Sequence, residues 1–330
     1  MNSDLLRLLV CPDCRGDLDG LTAALVDGAV RCTICDAAYP VRNGIPILLP
    51  PGFDATHVHD EIDHAPGHKQ QQAGYFDRSV AEEFEISRPH NTPEAYRWLL
   101  AQKFRRSVAH LPPLAGMTVA DVCCGSGMDA EMLARAGARV LAFDISEGCA
   151  SRAQTRAQRY GLHYVAVVAD VEHLPLRRAS ADISYVHDGL HHLEDPSRGL
   201  REMMRVARRA VSVNEPASSL GTTIAVRMRL AVEREDAGNR VARLNLDDIA
   251  RECEASGFDV NGGRYLMYYK HEPGGLMRAA SRPASRALYR AAVTMADAAL
   301  GRWGNKLQVT AVRRASATPA RDHASLQEAA

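Results

Sequence analysis

Two groups of residues have types and spacings that suit chemistry. The first is a pair of cysteine knuckles, Cys11-Pro-Asp-Cys14 and Cys32-Thr-Ile-Cys35, separated by 17 residues. Each C-x-x-C sets two thiolates on one tight turn. Two such turns joined by a hairpin supply four sulfurs in a tetrahedron, the closed geometry that structural zinc prefers. Cys11, Cys14, Cys32 and Cys35 are therefore the expected ligands of a structural Zn2+, with no open coordination position for catalysis. The alternatives are two disulfides or unligated core thiols, which a reducing compartment disfavours. For so small a segment the metal is expected to supply most of the folding free energy. Cys11→Ser is then expected to unfold this module and to leave the rest of the chain formed.

The second group begins at Met117. Met117–Val122 reads as a buried strand that runs into Cys123-Cys124-Gly125-Ser126-Gly127, then a helix from Asp129, then a strand Arg139–Phe143 ending in Asp144. A strand, a glycine-rich turn, a helix and a second strand with a terminal acid make a nucleotide-type site. Glycine lets a ligand approach the backbone, the helix start offers free N–H groups, and a carboxylate accepts both ribose hydroxyls. A dinucleotide site would show G-x-G-x-x-G. Here the turn is D-x-x-x-G-x-G, and the carboxylate of Asp121 in front of it suits a cation and repels phosphate. A ligand with an ammonium and a sulfonium fits, which is S-adenosylmethionine.

The elements that hold this turn follow in order. A helix over 146–160 leads to strand 163–169 and Asp170-Val171. Strand 181–186 runs into His187-Asp-Gly-Leu-His191-His192-Leu-Glu-Asp-Pro196, and strand 210–213 into Asn214-Glu215-Pro216. Asn245 caps a helix that stops at Gly257, and 258–270 and 306–313 read as final antiparallel strands. Acid-ended strands at these intervals resemble the class I S-adenosylmethionine-dependent methyltransferases, in particular the ubiquinone/menaquinone and small-molecule branch with its HH-x-x-DP-like segment. The resemblance covers about residues 75–314. It implies an α/β, doubly wound, Rossmann-like sheet of seven strands with the last one antiparallel. It also implies that Asp121, Gly125 and Gly127 line the methionine part of the cofactor, that Asp144 holds the ribose and that Ile145 flanks the adenine. Asp170 would accept the adenine amino group with Val171 stacking nearby, His187 would lie beside the sulfonium, and Tyr75 would serve as a lid. Where the family often has glycine, this chain has Cys123. Residues 4–50, with the hairpin signal Asn43-Gly44 between apolar runs, resemble the zinc-ribbon family that includes the activator subunit of tRNA and translation-factor methyltransferases.

Methyl transfer needs a base only when the acceptor must lose a proton. The candidate bases are His187, His191 and His192, which cluster where the acceptor should arrive, with His191 or His187 favoured; Glu215, at the end of a strand, is a candidate to hydrogen-bond the substrate. Tyr265, Tyr268, Tyr269 and His271 are candidates for the wall of an acceptor pocket. His57, His59, His64 and His68 are too irregularly spaced for a metal and read as part of a linker. The expected organisation is a zinc ribbon over 1–50, a linker over 51–74 and the methyltransferase unit over 75–314. An arginine-rich insertion for acceptor specificity falls near 217–243, and a disordered tail over 315–330. Arg278, Arg282, Arg286 and Arg290 recur every four residues and read as a solvated helix face.

Composition bounds the partners. The 330 residues, 46% of them hydrophobic, allow one full core and two domains. Forty basic residues balance forty acidic ones, which argues against a chain built to coat nucleic acid. Only four of the basic residues are Lys (69, 103, 270 and 306), and the excess of Arg reads as coding bias. No apolar run reaches about 18 residues, and the first residues lack the pattern of a signal peptide. The expected partner is a small-molecule acceptor in the cytoplasm, without a membrane. The alternatives are a ribosomal RNA base methyltransferase and a non-catalytic scaffold that docks a partner through the ribbon.

Overall fold

The computed structural model describes residues 3–50, 53, 67–78, 81–219, 243–268 and 270–315. Among these, four strands belong to the N-terminal module: β1 (Leu18–Asp19), β2 (Gly28–Cys32), β3 (Ala38–Arg42) and β4 (Ile45–Leu48). Seven more follow: β5 (Thr118–Val122), β6 (Arg139–Asp144), β7 (Val165–Ala169), β8 (Ala181–His187), β9 (Ala207–Pro216), β10 (Phe258–Tyr265) and β11 (Lys306–Arg313). The expected seven-stranded arrangement is present as β7-β6-β5-β8-β9-β11-β10, and β11 runs antiparallel to both its neighbours.

The sheet does not stop there. β4 pairs in parallel with β7, Ile47 opposite Val168 and Leu48 opposite Ala169, so the ribbon strands continue the same sheet to a total of eleven. The expected count of seven is corrected by this pairing. Its physical reason lies in β7, whose sequence Val-Ala-Val-Val-Ala is buried throughout and would otherwise leave an apolar, unpaired edge. Asn43 and Gly44 both adopt positive φ and turn β3 into β4 as a two-residue hairpin, as their sequence implies.

Central parallel strands are covered on both faces, and their side chains alternate between two cores. In β6, Val140 and Ala142 join Leu133, Ala150 and Ala153 on one face. Leu141 and Phe143 join Leu200, Met203 and Phe258 on the other. That second cluster also takes in Leu5, Leu9, Cys11, Tyr39 and Val41, so the N-terminal module packs as part of the same core. The flanking helices start on side-chain caps. Ser146 accepts from the Cys149 N–H, Asp195 from Arg198 and Asn245 from Asp247.

The strand expected over 258–270 ends at Tyr265. A helix over His68–Asp77 begins inside the stretch that reads as linker, and a separate helix spans Glu82–Ser87. The helix Glu94–Val108 has Pro93 at its N-cap, and the Thr92 hydroxyl donates to the Pro89 carbonyl. Residues 54–66, with His57, His59 and His64, lie outside the described residues. So do most of the arginine-rich insertion (220–242) and the tail from 316.

Candidate active site and metal centre

The glycine-rich turn leaves β5 at the carboxyl edge of the sheet. Gly125 has φ +53°, and a β-carbon there would meet nothing within 4 Å, so the turn faces open space. Gly127, at φ +76°, cannot carry one, because the Tyr164 hydroxyl would lie 2.6 Å away. Cys123 also adopts a positive φ, +53°, which costs a non-glycine residue about 1 kcal/mol. Its side chain occupies the space over Gly189, where a β-carbon would fall 2.3 Å from the Cys123 Cβ. Burial and the nearby carboxylates of Asp144 and Glu215 push the Cys123 thiol well up, so it is a neutral group.

Asp144 fixes the turn by accepting from the N–H groups of Gly125 (2.8 Å) and Ser146 (3.0 Å). Asp121 is buried behind it, and its Oδ2 has no hydrogen-bond partner among the described residues. Burial, reinforced by Asp129 and Asp144, raises the Asp121 pKa well above the usual carboxylate range. An unfolded chain ionises this group near pH 4 and the folded one does not, so stability falls as pH rises through that window. Asp121→Asn is expected to raise the melting temperature of the ligand-free protein at pH 7 by about 2–4 °C. The gain should shrink toward pH 4. Calorimetry across that range checks it, and a pH-independent gap would show that Asp121 is not held neutral.

The helix His68–Asp77 lies over this edge and is fastened at both ends. At one end Lys69 Nζ pairs with Asp170 (2.7 Å) and Glu172 (3.0 Å). At the other, Asp77 Oδ1 accepts from Ser146 Oγ (2.6 Å) and the Gly148 N–H (2.8 Å). Asp170 also takes the Glu172 N–H on its second oxygen. Val171 is buried, Ile145 is half-buried and Tyr75 is exposed on the same helix.

The loop after β8 separates His187 from His191 and Glu215. His187 Nδ1 lies 2.7 Å from Asp129 Oδ2, and the Tyr185 hydroxyl donates to the other Asp129 oxygen at 2.8 Å. Although burial opposes it, His187 and Tyr185 hold the Asp129 carboxyl below its usual range. An ionised Asp129 fixes the His187 tautomer with the proton on Nδ1 and directs Nε2 toward Asp188, 3.6 Å away. Asp188 adopts a left-handed φ and receives both Lys103 and Lys306, the latter at 2.8 and 2.9 Å. Against its burial, these lysines hold its carboxyl well below the ordinary range. Glu215 is fully buried. One oxygen takes the N–H groups of Gly189 and Leu190, each at 2.8 Å, and the other pairs with His191 Nδ1 at 2.7 Å. Among the expected wall residues, Tyr265 is core and donates to Asn214, and Tyr268 is exposed. His271 pairs with Glu85, and Tyr269 lies outside the described residues.

Two members of the arginine excess that reads as coding bias brace the turn from the helix Glu147–Arg159. Arg152 Nε donates to Ser126 Oγ (3.1 Å). The fully buried Arg156 spans the carbonyls of Ser126 (2.8 Å) and Glu85 and the carboxylate of Glu131 (2.9 Å). A lysine cannot reach three acceptors in one plane. Arg156→Lys is expected to cost about 1–3 kcal/mol, read as a lower midpoint in urea; a change within error would show the fork is dispensable.

In the N-terminal module the sulfurs of Cys11, Cys14, Cys32 and Cys35 all lie within 4.8 Å of one another, with 3.3 Å between Cys14 and Cys32 and 3.7 Å between Cys11 and Cys35. A tetrahedral zinc thiolate requires sulfurs about 3.8 Å apart. Without a cation the four thiols oppose one another: against its burial, backbone N–H groups of Cys35 and Ile34 draw Cys32 down, while Cys35 and Cys14 are pushed up by their neighbouring sulfurs and burial.

Comparison with known proteins bears on both parts of the chain. Residues 120–212 match the family model for a methyltransferase domain, so fold and turn together define a methyltransferase domain on a doubly wound sheet. Residues 2–44 match the Trm112p-like proteins. A UPF0434 protein of Paraburkholderia phymatum is 39% identical over 70 residues, 20% of this chain and 96% of that protein; through this stretch the chain belongs to the UPF0434 family. A demethylmenaquinone methyltransferase of Thermobifida fusca is 34% identical over 105 residues, 31% of this chain and 44% of the relative. A ubiquinone biosynthesis O-methyltransferase of Caulobacter vibrioides is 32% identical over 107 residues, 32% of this chain and 42% of the relative. The chain thus spans less than half the length of these two enzymes. The structure of a magnesium protoporphyrin IX methyltransferase from Synechocystis PCC 6803 with bound SAH superimposes with a TM-score of 0.51 at 22% identity. The match covers 73% of this chain and 98% of that one, a likeness of fold.

Proposed function

We propose that the protein is an S-adenosylmethionine-dependent methyltransferase that transfers a methyl group by in-line displacement to a small-molecule acceptor, and that its four-cysteine cluster holds a structural Zn2+. The observation that carries the first reading is the buried, unpartnered Asp121 oxygen behind an open Gly125 turn. A buried carboxyl without a partner is costly, and a cationic ligand relieves that cost. When bound, the sulfonium supplies an activated methyl group whose transfer needs alignment more than covalent help. In this reading Asp121, Gly125 and Gly127 line the methionine end, Asp144 holds the ribose, and Ile145 and Val171 flank the adenine. The adenine amino group would compete with Lys69 for Asp170, which ties entry of the cofactor to movement of the helix His68–Asp77. Tyr75, on that helix, rides with it as part of the lid.

In this reading His187 accepts the proton, and its bond to Asp129, which would orient it from behind, supports that role. Glu215 and His191 then act as positioning residues, since Glu215 is committed to the loop that follows His187 and carries His191. The test pairs binding with turnover. SAH should bind with one-to-one stoichiometry, and a screen of acceptors should reveal a methylated product by mass spectrometry. His187→Gln should then lower kcat by roughly a hundredfold and leave SAH affinity intact. A protein that binds no SAH sinks the proposal; an unchanged kcat removes only the base.

A further inference from the structure

The connection from β10 to β11 runs along the carboxyl edge of the sheet, where Tyr265 and Pro216 both lie opposite Lys306. Its long helix, Pro283–Leu300, has no buried residue. The side that meets the protein mixes apolar and charged contacts: Tyr289 and Val293 pack on the cluster of Leu99, Tyr265 and Met277, Arg290 pairs with Glu94, and Asp297 with Arg106. The opposite side presents Ala284, Leu288, Ala291, Met295 and Ala298 at alternating spacings of four and three. This charge-free stripe is about 21 Å long. Leu288 and Met295 are 73% and 70% exposed, and Leu276 on the preceding short helix is 74% exposed. A surface helix normally keeps the side away from the protein polar, so this helix carries a second apolar side.

The charge around the stripe says what covers it. Residues 275–304 contain five arginines and one aspartate in a chain with no net charge, and that aspartate is already paired with Arg106. Arg278, Arg282 and Arg286 form no ion pair among the described residues. At the ends of the segment are two exposed aromatics, Tyr268 and Trp303, with the Arg302 guanidinium stacked 3.6 Å over the Trp303 ring. We propose that this face docks on an anionic lipid surface, with the helix lying in the plane of the interface. The alanines, Leu and Met enter the acyl boundary, and the arginines reach phosphate headgroups. A second copy of the chain is a poorer fit, because it would bring two cationic segments together without an anion between them. The stripe itself carries no polar side chain, which suits acyl chains better than the polar surface of a folded acidic protein. No helix among the described residues is long and apolar enough to cross a membrane, so the contact is one of lying on the bilayer. The proposal departs from the expectation of a partner without a membrane. It does not depend on the methyl-transfer reading, although it places the edge that carries the site next to the lipid.

Flotation of the full-length protein with vesicles tests it. Binding to phosphatidylglycerol/phosphatidylcholine vesicles should exceed binding to phosphatidylcholine alone by at least about tenfold. Leu288→Glu/Met295→Glu should abolish it, and Arg278→Glu/Arg286→Glu should weaken it by about tenfold or more. SAH affinity and the thermal transition should be unchanged in both variants, which separates lost docking from lost folding. Absence of binding, equal binding to both vesicles, or binding kept by the double glutamate variant would overturn the proposal. So would a lipid-free dimer that the same variant splits, since a second copy would then be the occupant.

Discussion

Cys11→Ser is expected to lose the metal and to lower stability by at least about 5 kcal/mol, since structural zinc is worth more than that to small modules. It should also weaken SAH binding. The sequence alone suggests that the module would unfold by itself, and the structure argues otherwise. Next to Cys11, the Val10 N–H donates to Pro175 O (3.0 Å). Next to Cys14, Arg15 reaches both Leu174 O and Glu202. Residues 174–176 lie two residues beyond Asp170-Val171, and β4 pairs with β7, which ends immediately before Asp170. Loss of the knuckle therefore loosens the side of the crevice proposed for the adenine from two directions. Metal content, calorimetric unfolding and SAH titration of the variant check this. Unaltered SAH affinity would show the two parts to be independent, and stoichiometric metal in a variant lacking all four cysteines would overturn the ligand set.

Asp144→Ala should reduce SAH affinity by two to three orders of magnitude or so, in line with losing a charge-assisted pair of hydrogen bonds. The carboxylate acts in two directions. It accepts the Gly125 and Ser146 N–H groups, which shape the turn and start the next helix, and it faces the crevice. Burial already pushes its pKa up, so alanine removes an unfavourable charge as well as two hydrogen bonds, and the ligand-free protein should stay folded. Asparagine keeps the volume and one acceptor and should fall between the two. An unchanged titration with either variant would remove Asp144 from the ribose position.

The turn is legible in the sequence because its parts are local. Asp121, Gly125, Gly127 and Asp144 lie within one strand–turn–helix–strand unit, and the residue types carry the message themselves. The groups that brace it are not, because they arrive from far along the chain. Lys103 reaches Asp188 over 85 positions and Lys306 over 118, and Lys69 reaches Asp170 over 101. One signal is available. In a chain whose cations are almost all arginine, three of the four lysines end on carboxylates around the site. A compact ammonium fits a crowded carboxylate where a planar guanidinium would not. Glu215 shows the opposite case. Its place at a strand end is plain from the sequence, but backbone N–H groups decide whether its side chain turns toward a ligand or back into a loop, and spacing does not reveal them.

The parallel pairing of β4 with β7 has a consequence for biosynthesis. A ribosome completes the cysteine module more than a hundred residues before it finishes the valine-rich strand that the module covers. The cap, with its proposed Zn2+, can thus wait, folded, for the exposed ladder to emerge, at the stage when a bare strand is most prone to self-adhesion. Expression of a version that starts after Leu49 should yield inclusion bodies, even though every residue of the donor crevice is retained.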